Sequence, residues 1–213
     1  LPMIDVGTSV GPELAILIDV GLVALFGLQH SLMARPWFKA RIRQLPEPHQ
    51  RCLFVHAANF ALLVLVLFWQ PIPDPVWTLP WRPVQTAVWA LFALGWFILL
   101  FGAASYGILD LLGVPQMQAW ARGEEVTRRE LKTGLLYRWL RHPMYVGVLL
   151  GFWATPTMSL GHLLLAVGMT VYVLIAVRYE ERDLRRLHGK AYDDWQAAPS
   201  PLAKMAKGTT ARA

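Results

Sequence analysis

A run of 35 residues with no Asp, Glu, Lys or Arg, positions 143–177, limits what this chain can fold into more than any other feature. As one helix, at about 1.5 Å per residue, it would be roughly 50 Å long, well beyond the ~30 Å hydrocarbon core of a bilayer. It carries a break of its own, Thr155-Pro156-Thr157-Met158-Ser159-Leu160-Gly161-His162. The run is therefore expected to fold as a tight helical hairpin that enters and leaves the membrane on one side. Such a hairpin brings Arg141-His142, at its start, to the same interface as Arg178-Tyr179-Glu180-Glu181, at its end. Two charged clusters meeting there mark a candidate site.

Three further apolar stretches fall at about 13–33, 52–69 and 84–112, so the chain reads as an all-α polytopic membrane protein with five transmembrane helices. Only 16% of residues are charged, below the ~25% usual in soluble domains. The charge that exists is sorted. Nineteen of the twenty Lys and Arg lie in the loop after the first stretch, the segment before the hairpin, or the tail, and Arg82 alone lies elsewhere. By the positive-inside rule this predicts five crossings, with the N-terminus outside and the C-terminus in the cytoplasm. The same sorting explains the net charge of +6 through topology and anionic lipid headgroups, so no nucleic-acid partner is expected. A lone Cys52 leaves no internal disulfide and no cysteine-rich zinc site, and no metal is expected. One domain is expected over 1–198, with its core at 131–195 and a disordered tail at 199–213. Loop 70–83 falls outside, with Trp69, Trp77 and Trp81 as interfacial anchors. Gly147 and Gly151 form a small face expected to pack against the helix that follows.

Polar groups inside spans are costly, and each is a functional candidate. Asp19 and His30 share a face of the first helix by 3–4 spacing, as do His56 and Asn59 on the second. Tyr106 and Asp110, four apart, close the third stretch on the cytoplasmic side. For each the alternative is an interhelical hydrogen bond or solvation at the interface. His142, followed by Pro at the first helical position, has the alternative of a helix-end residue. Glu180 and Glu181 have that of a solvated face with i,i+4 pairs such as Glu181–Arg185.

The pattern Leu131-x-Thr-Gly134-x-x-Tyr137-x-x-x-Arg141-His142-Pro143-x-Tyr145-x-Gly147, with Glu180-Glu181-x-x-Leu184 and Gly189-x-x-Tyr192 after it, resembles the isoprenylcysteine carboxyl methyltransferase and phospholipid methyltransferase superfamily. A wider set, Gln29-His30-Ser31-x-Met33-Ala34-Arg35-Pro36, Leu67-Phe68-Trp69-Gln70, Phe152-Trp153-Ala154-Thr155-Pro156-Thr157-Met158 and Gly161-His162-Leu163-Leu164, is similar to the bacterial, NnrU-like methanethiol S-methyltransferases. Two segments depart from that family: Ser105–Gln116, which lacks its Asn-His pair and its Arg, and Tyr192-Asp193-Asp194-Trp195. The resemblance implies an integral enzyme of the bacterial inner membrane that uses S-adenosylmethionine and methylates a small lipophilic acceptor. It implicates Arg141 and Arg178 in the site.

That cofactor carries a sulfonium, an ammonium and a carboxylate, so its pocket needs both charge signs and apolar walls. Arg141 or His142 suits the carboxylate, and Glu180 and Glu181 suit the ammonium or the ribose. Tyr137, Tyr145 and Tyr179 supply hydroxyls and aromatic walls, with Leu131 and Gly134 completing the cofactor set. An acceptor thiol attacks as its thiolate. His30 is the candidate base, Tyr106 and Asp110 are its rivals, and Arg141 and Arg178 offer a cationic setting that needs no base. Three functions stay open: transfer to a small thiol, transfer to a prenylcysteine carboxylate or lipid amine, and a non-catalytic transporter or accessory role.

Overall fold

The structure is a computed structural model, which describes residues 4–7, 10–124 and 136–198. The described elements are α1 (Pro12–Met33), α2 (Pro36–Arg41), α3 (Glu47–Phe68), β1 (Pro75–Thr78), α4 (Arg82–Tyr106), α5 (Ile108–Leu112), α6 (Val114–Ala121), α7 (Leu136–Trp139), α8 (Pro143–Trp153), β2 (Thr157–Ser159), α9 (Leu160–His188) and α10 (Lys190–Ala197). Proline occupies the first or second position of α1, α2, α3, α4, α6 and α8, where its missing N–H costs no intrahelical bond.

Among the described residues four helices are long and apolar enough to cross a membrane: α1, α3, α4 and α9, of 22, 22, 25 and 29 residues. Of the five spans expected, the remaining stretch forms only α8, 11 residues and so about 16 Å. Residues 155–159 then run on in extended form, and β2 pairs antiparallel with β1 from the loop between α3 and α4. The described residues are mostly helical, as expected, and this two-stranded sheet is an addition the sequence reading did not include. Three-residue strands carry too little pattern to be read from sequence. Thr155, Met158 and Ser159 are buried. Trp77 donates its indole N–H to the Thr155 carbonyl at 3.2 Å, which staples loop to turn.

The third apolar stretch is also not one helix. Gly107 sits at φ +103°, a conformation that ends α4 and turns the chain into α5. The Arg51 guanidinium then closes the end of α5 by donating to the carbonyls of Asp110 at 2.7 Å and Leu111 at 2.9 Å.

Packing is tightest between α4 and α8. A Cβ placed on Gly147 would lie 2.6 Å from Gly95 O and from Leu99 N, and one on Gly95 would lie 2.7 Å from Gly151 N. The small face of α8 thus meets α4, with α5, α6 and α7 between them in the chain, and not α9 as expected. Spacing reveals that a face is small, and only the fold decides what it meets. A second core joins α1, α3 and α9 through Leu22, Val23, Phe26, Ala61, Leu65, Leu165 and Met169. Large apolar side chains such as Leu17, Leu25, Phe60, Leu67, Phe97 and Leu100 remain outward, as a lipid-facing surface requires.

Candidate active site

The C-terminal ends of α1, α4 and α9 and the start of α8 come together with α7. His142 precedes α8 and places Nε2 3.3 Å from Oε1 of Glu181, with the two side chains 15% and 28% exposed. One turn further on, the Tyr145 hydroxyl donates to Glu180. Adjacent residues on a helix point about 100° apart, so the Glu pair is divided between two partners on α8. Tyr172 and Tyr137 also face Glu180. Tyr172 lies eight residues before it, two turns up the same side of α9. The Tyr137 phenol is buried with no hydrogen-bond partner among the described residues, and its ring lies 6.4 Å from that of Tyr106. Burial first, then the neighbouring Tyr106 and Glu180, push Tyr137 up to about 12.

From α1 the site receives His30. Its ring lies 4.7 Å from Phe54, 5.6 Å from Phe26 and 6.0 Å from Tyr172, and its Nδ1 is buried without a partner among the described residues. Arg35, just past α1, is held in three ways. Its Nε donates to Ser31 O at 2.9 Å, its Nη1 lies 3.7 Å from Asp183, and its guanidinium lies 4.2 Å above the Tyr179 ring. It stands close enough to Tyr145 and Tyr172 to act on both hydroxyls electrostatically.

The structure therefore gathers His30, Tyr106, Tyr137, His142, Tyr145, Tyr179, Glu180 and Glu181 from the sequence-derived set. It does not bring in Arg141, Arg178 or Asp110. Arg141 is exposed and donates to the Gln196 carbonyl at 2.6 Å, tying α10 to the base of α8. Arg178 is exposed, with no ion pair among the described residues. The Asp110 carboxylate accepts from Gln116 at 3.2 Å, within the α5–α6 connection. Leu131 and Gly134 lie outside the described residues, as does the 199–213 tail. Arg35, Tyr172, Phe26 and Phe54 are the additions. In sequence Arg35 counts toward charge sorting and stands in the Met33-Ala34-Arg35-Pro36 segment of the resemblance, with no role in the site assigned to it. Tyr172 had a usable signal, a lone phenol in an apolar run on the Glu180 face, whereas Phe26 and Phe54 are indistinguishable from core residues until the helices are packed.

The opposite end is structural in character. Asp19 is fully buried and its Oδ1 accepts from the Gln70 N–H at 2.9 Å, while Ser159 caps α9 by accepting from the His162 N–H and donates its own hydroxyl to the Asp5 carboxylate. His56 bonds the Cys52 carbonyl through Nδ1 at 2.9 Å, and Asn59 is exposed. Neither reaches the inner cluster.

Comparison with known proteins fits this geometry. The phospholipid methyltransferase family profile matches residues 87–191, which take in α4 through α9 and so most of the cluster. The methanethiol S-methyltransferase of Crocosphaera subtropica is 40% identical over 85% of this chain and 72% of its own length. That of Pseudomonas deceptionensis is 40% identical over 91% of this chain and 74% of its own length. Nurim from Xenopus laevis is 30% identical over 81% of this chain and 64% of its own length. No solved structure matches the chain. With 40% identity over 85–91% of its length, the chain belongs to the methanethiol S-methyltransferase family and is a methyltransferase.

Proposed function

We propose that this enzyme moves a methyl group from S-adenosylmethionine to a small thiol, methanethiol or hydrogen sulfide, at the inner cluster. The observation that carries the reading is that one phenol, Tyr172, lies both against the ring of His30 and in front of Glu180. An apolar acceptor niche and a polar, two-signed donor niche thus share a wall.

The residues present suit the donor. Glu180 and Glu181 offer carboxylates to an ammonium or to ribose hydroxyls, Arg35 and His142 offer the opposite sign, and the tyrosines offer aromatic faces for a sulfonium. When bound, that group supplies an electrophilic methyl: the thiolate sulfur forms the new C–S bond as the sulfonium C–S bond breaks, and the electron pair stays on the donor's sulfur. The protein's own work is to orient the partners and to hold the proton. His142 and Glu181 fix one another across the start of α8. The Tyr145–Glu180 bond sets the depth of the polar half. His30 Nδ1 takes the thiol proton, leaving the thiolate that is the competent nucleophile, and the Arg35 guanidinium lowers the cost of that charge.

The same reading places the protein in a bacterial inner membrane, N-terminus outside, with the cluster facing the cytoplasm. In it α8 and the extended turn together make the fifth crossing and form the hairpin. The β1–β2 pairing supports this, since it puts the hairpin's apex beside the loop that leads into α4. Leu131 and Gly134 belong to the donor side in this proposal, and Arg141 and Arg178 act from its rim.

The test is transfer of a labelled methyl from S-adenosylmethionine by purified protein to methanethiol and hydrogen sulfide, beside prenylcysteine and lipid amines. Transfer to the latter, with none to thiols, refutes the reading. His142→Ala and Glu181→Ala are each expected to weaken donor binding by about 1–3 kcal/mol. His30→Ala is expected to depress turnover more than donor binding, with partial recovery as rising pH supplies thiolate.

A further inference from the structure

The thiol reading leaves open what restricts the acceptor to a small one, and the packing around His30 addresses that. Three helices contribute rings to this point: Phe26 and His30 from α1, Phe54 from α3 and Tyr172 from α9. Phe26 and Tyr172 stand edge to face at 5.5 Å, and Tyr172 and His30 are nearly perpendicular at 88°. Phe54 is the ring closest to the imidazole, at 4.7 Å. On the α1 side Tyr172 has no room to withdraw, because even a Cβ on Gly27 would come within 3.3 Å of its Cδ2. Apart from the imidazole nitrogens and one hydroxyl, every side-chain atom in this set is carbon.

Such walls suit a molecule that is apolar except for one S–H. A carboxylate or ammonium acceptor would have to give up its hydration among these carbon-rich rings, a larger cost than a neutral S–H incurs. A longer alkyl chain meets a different obstacle. The only wall carried by the set's third helix is Phe54, which is half-buried beside the outward-facing Leu53. Phe54 thus lies against His30 on one side and is itself only part-buried, so it forms an outer wall of this ring set.

We infer that Phe54 is a specificity-determining residue, closing the acceptor niche over His30 so that only a thiol bearing a very short alkyl group fits. The inference rests on the proposed thiol reading. It assigns Phe54 no part in proton transfer and no contact with the methyl donor.

The experiment measures kcat/KM for methanethiol, ethanethiol, propanethiol and butanethiol, at saturating S-adenosylmethionine, in wild type, Phe54→Ala, Phe54→Leu and the lipid-facing control Phe97→Ala. Wild type is expected to lose activity steeply with chain length. Phe54→Ala is expected to raise the butanethiol-to-methanethiol ratio by at least about tenfold, the scale on which apolar pockets discriminate single methylenes. Phe54→Leu should fall between, Phe97→Ala should match wild type, and the KM for S-adenosylmethionine should stay unchanged in all four. Thermal melting establishes that each variant is folded, and Phe54→Leu carries the comparison should the alanine variant not fold. An unchanged chain-length profile in the folded variants overturns the inference while leaving the thiol reading intact. Equal loss of activity on every thiol also overturns it, since Phe54 would then serve the chemistry and not the fit. Wild type that methylates no thiol at all refutes the functional reading itself, and the inference with it.

Discussion

Replacing Gly147 by alanine adds one methyl group where α8 touches α4 backbone to backbone. That Cβ would meet Gly95 O and Leu99 N at 2.6 Å and Leu99 Cα at 3.0 Å. All three are helix backbone atoms, so no rotamer change relieves the clash. Ordinary contact needs about 3.5 Å, so the helices must separate by roughly 0.5–1 Å or bend. Overpacking of this kind costs about 1–3 kcal/mol. In a chain of this size that is a fall in Tm of about 2–12 °C. The displacement also reaches the site, because His142 and Tyr145 lie on the same helix within about a turn and a half. The His142–Glu181 contact, already 3.3 Å, has almost no slack before it ceases to be a hydrogen bond. Gly147→Ala is therefore expected both to melt earlier and to bind the methyl donor more weakly. The matched control is Gly21→Ala on α1, whose added Cβ meets nothing within 4 Å. It should melt with wild type or slightly above, since alanine favours the helix. Tryptophan-fluorescence melting in detergent, alongside donor titration, reads both effects. If Gly147→Ala and Gly21→Ala melt together, the close approach of α4 and α8 is refuted.

Three further outcomes follow from single contacts. Tyr137, held at about 12 by burial and by Tyr106 and Glu180, should stay a neutral phenol where free tyrosines ionise near 10. Its folded pKa lies above the unfolded one, so its contribution to stability is full below about pH 10 and disappears as pH rises through about 12. An ultraviolet titration of wild type minus Tyr137→Phe with a midpoint near 10 would contradict this. Asp19→Ala should destabilise by about 1–3 kcal/mol by orphaning the Gln70 N–H, while Asp19→Asn, which keeps an acceptor, should cost less; equal melting of the two variants would show that the bond contributes nothing. Arg51→Ala removes two donors from the end of α5, so amides in α5 and α6 should exchange faster while those in α9 do not; unaltered exchange in α5 would rule out the capping role.

Much of this molecule could be read without coordinates, because the relevant physics is one-dimensional. A bilayer imposes a length on apolar runs, so the four long helices follow from residue spacing and charge sorting alone. The proline-initiated helix starts follow from local sterics. His142, Tyr145, Glu180 and Glu181 were legible because they flank a long uncharged run that carries its own break at Thr155–His162, and the His142–Glu181 contact shows that its two charged ends meet. What lay beyond reach depends on which surfaces meet. Gly147 and Gly151 show a small face, but only packing reveals α4 as its neighbour. Residues 155–159 look like a plain turn until loop 70–83 supplies the strand that satisfies their backbone. Arg35 looks like one more topological charge, yet the crossing of α1 and α9 sets it on Tyr179 and Asp183. The rings of Phe26, Phe54 and Tyr172 are ordinary apolar residues on three separate helices. They become a ring cluster around His30 only because those helices converge, and that convergence is set by side-chain interlock between distant segments, which no local pattern in the chain encodes.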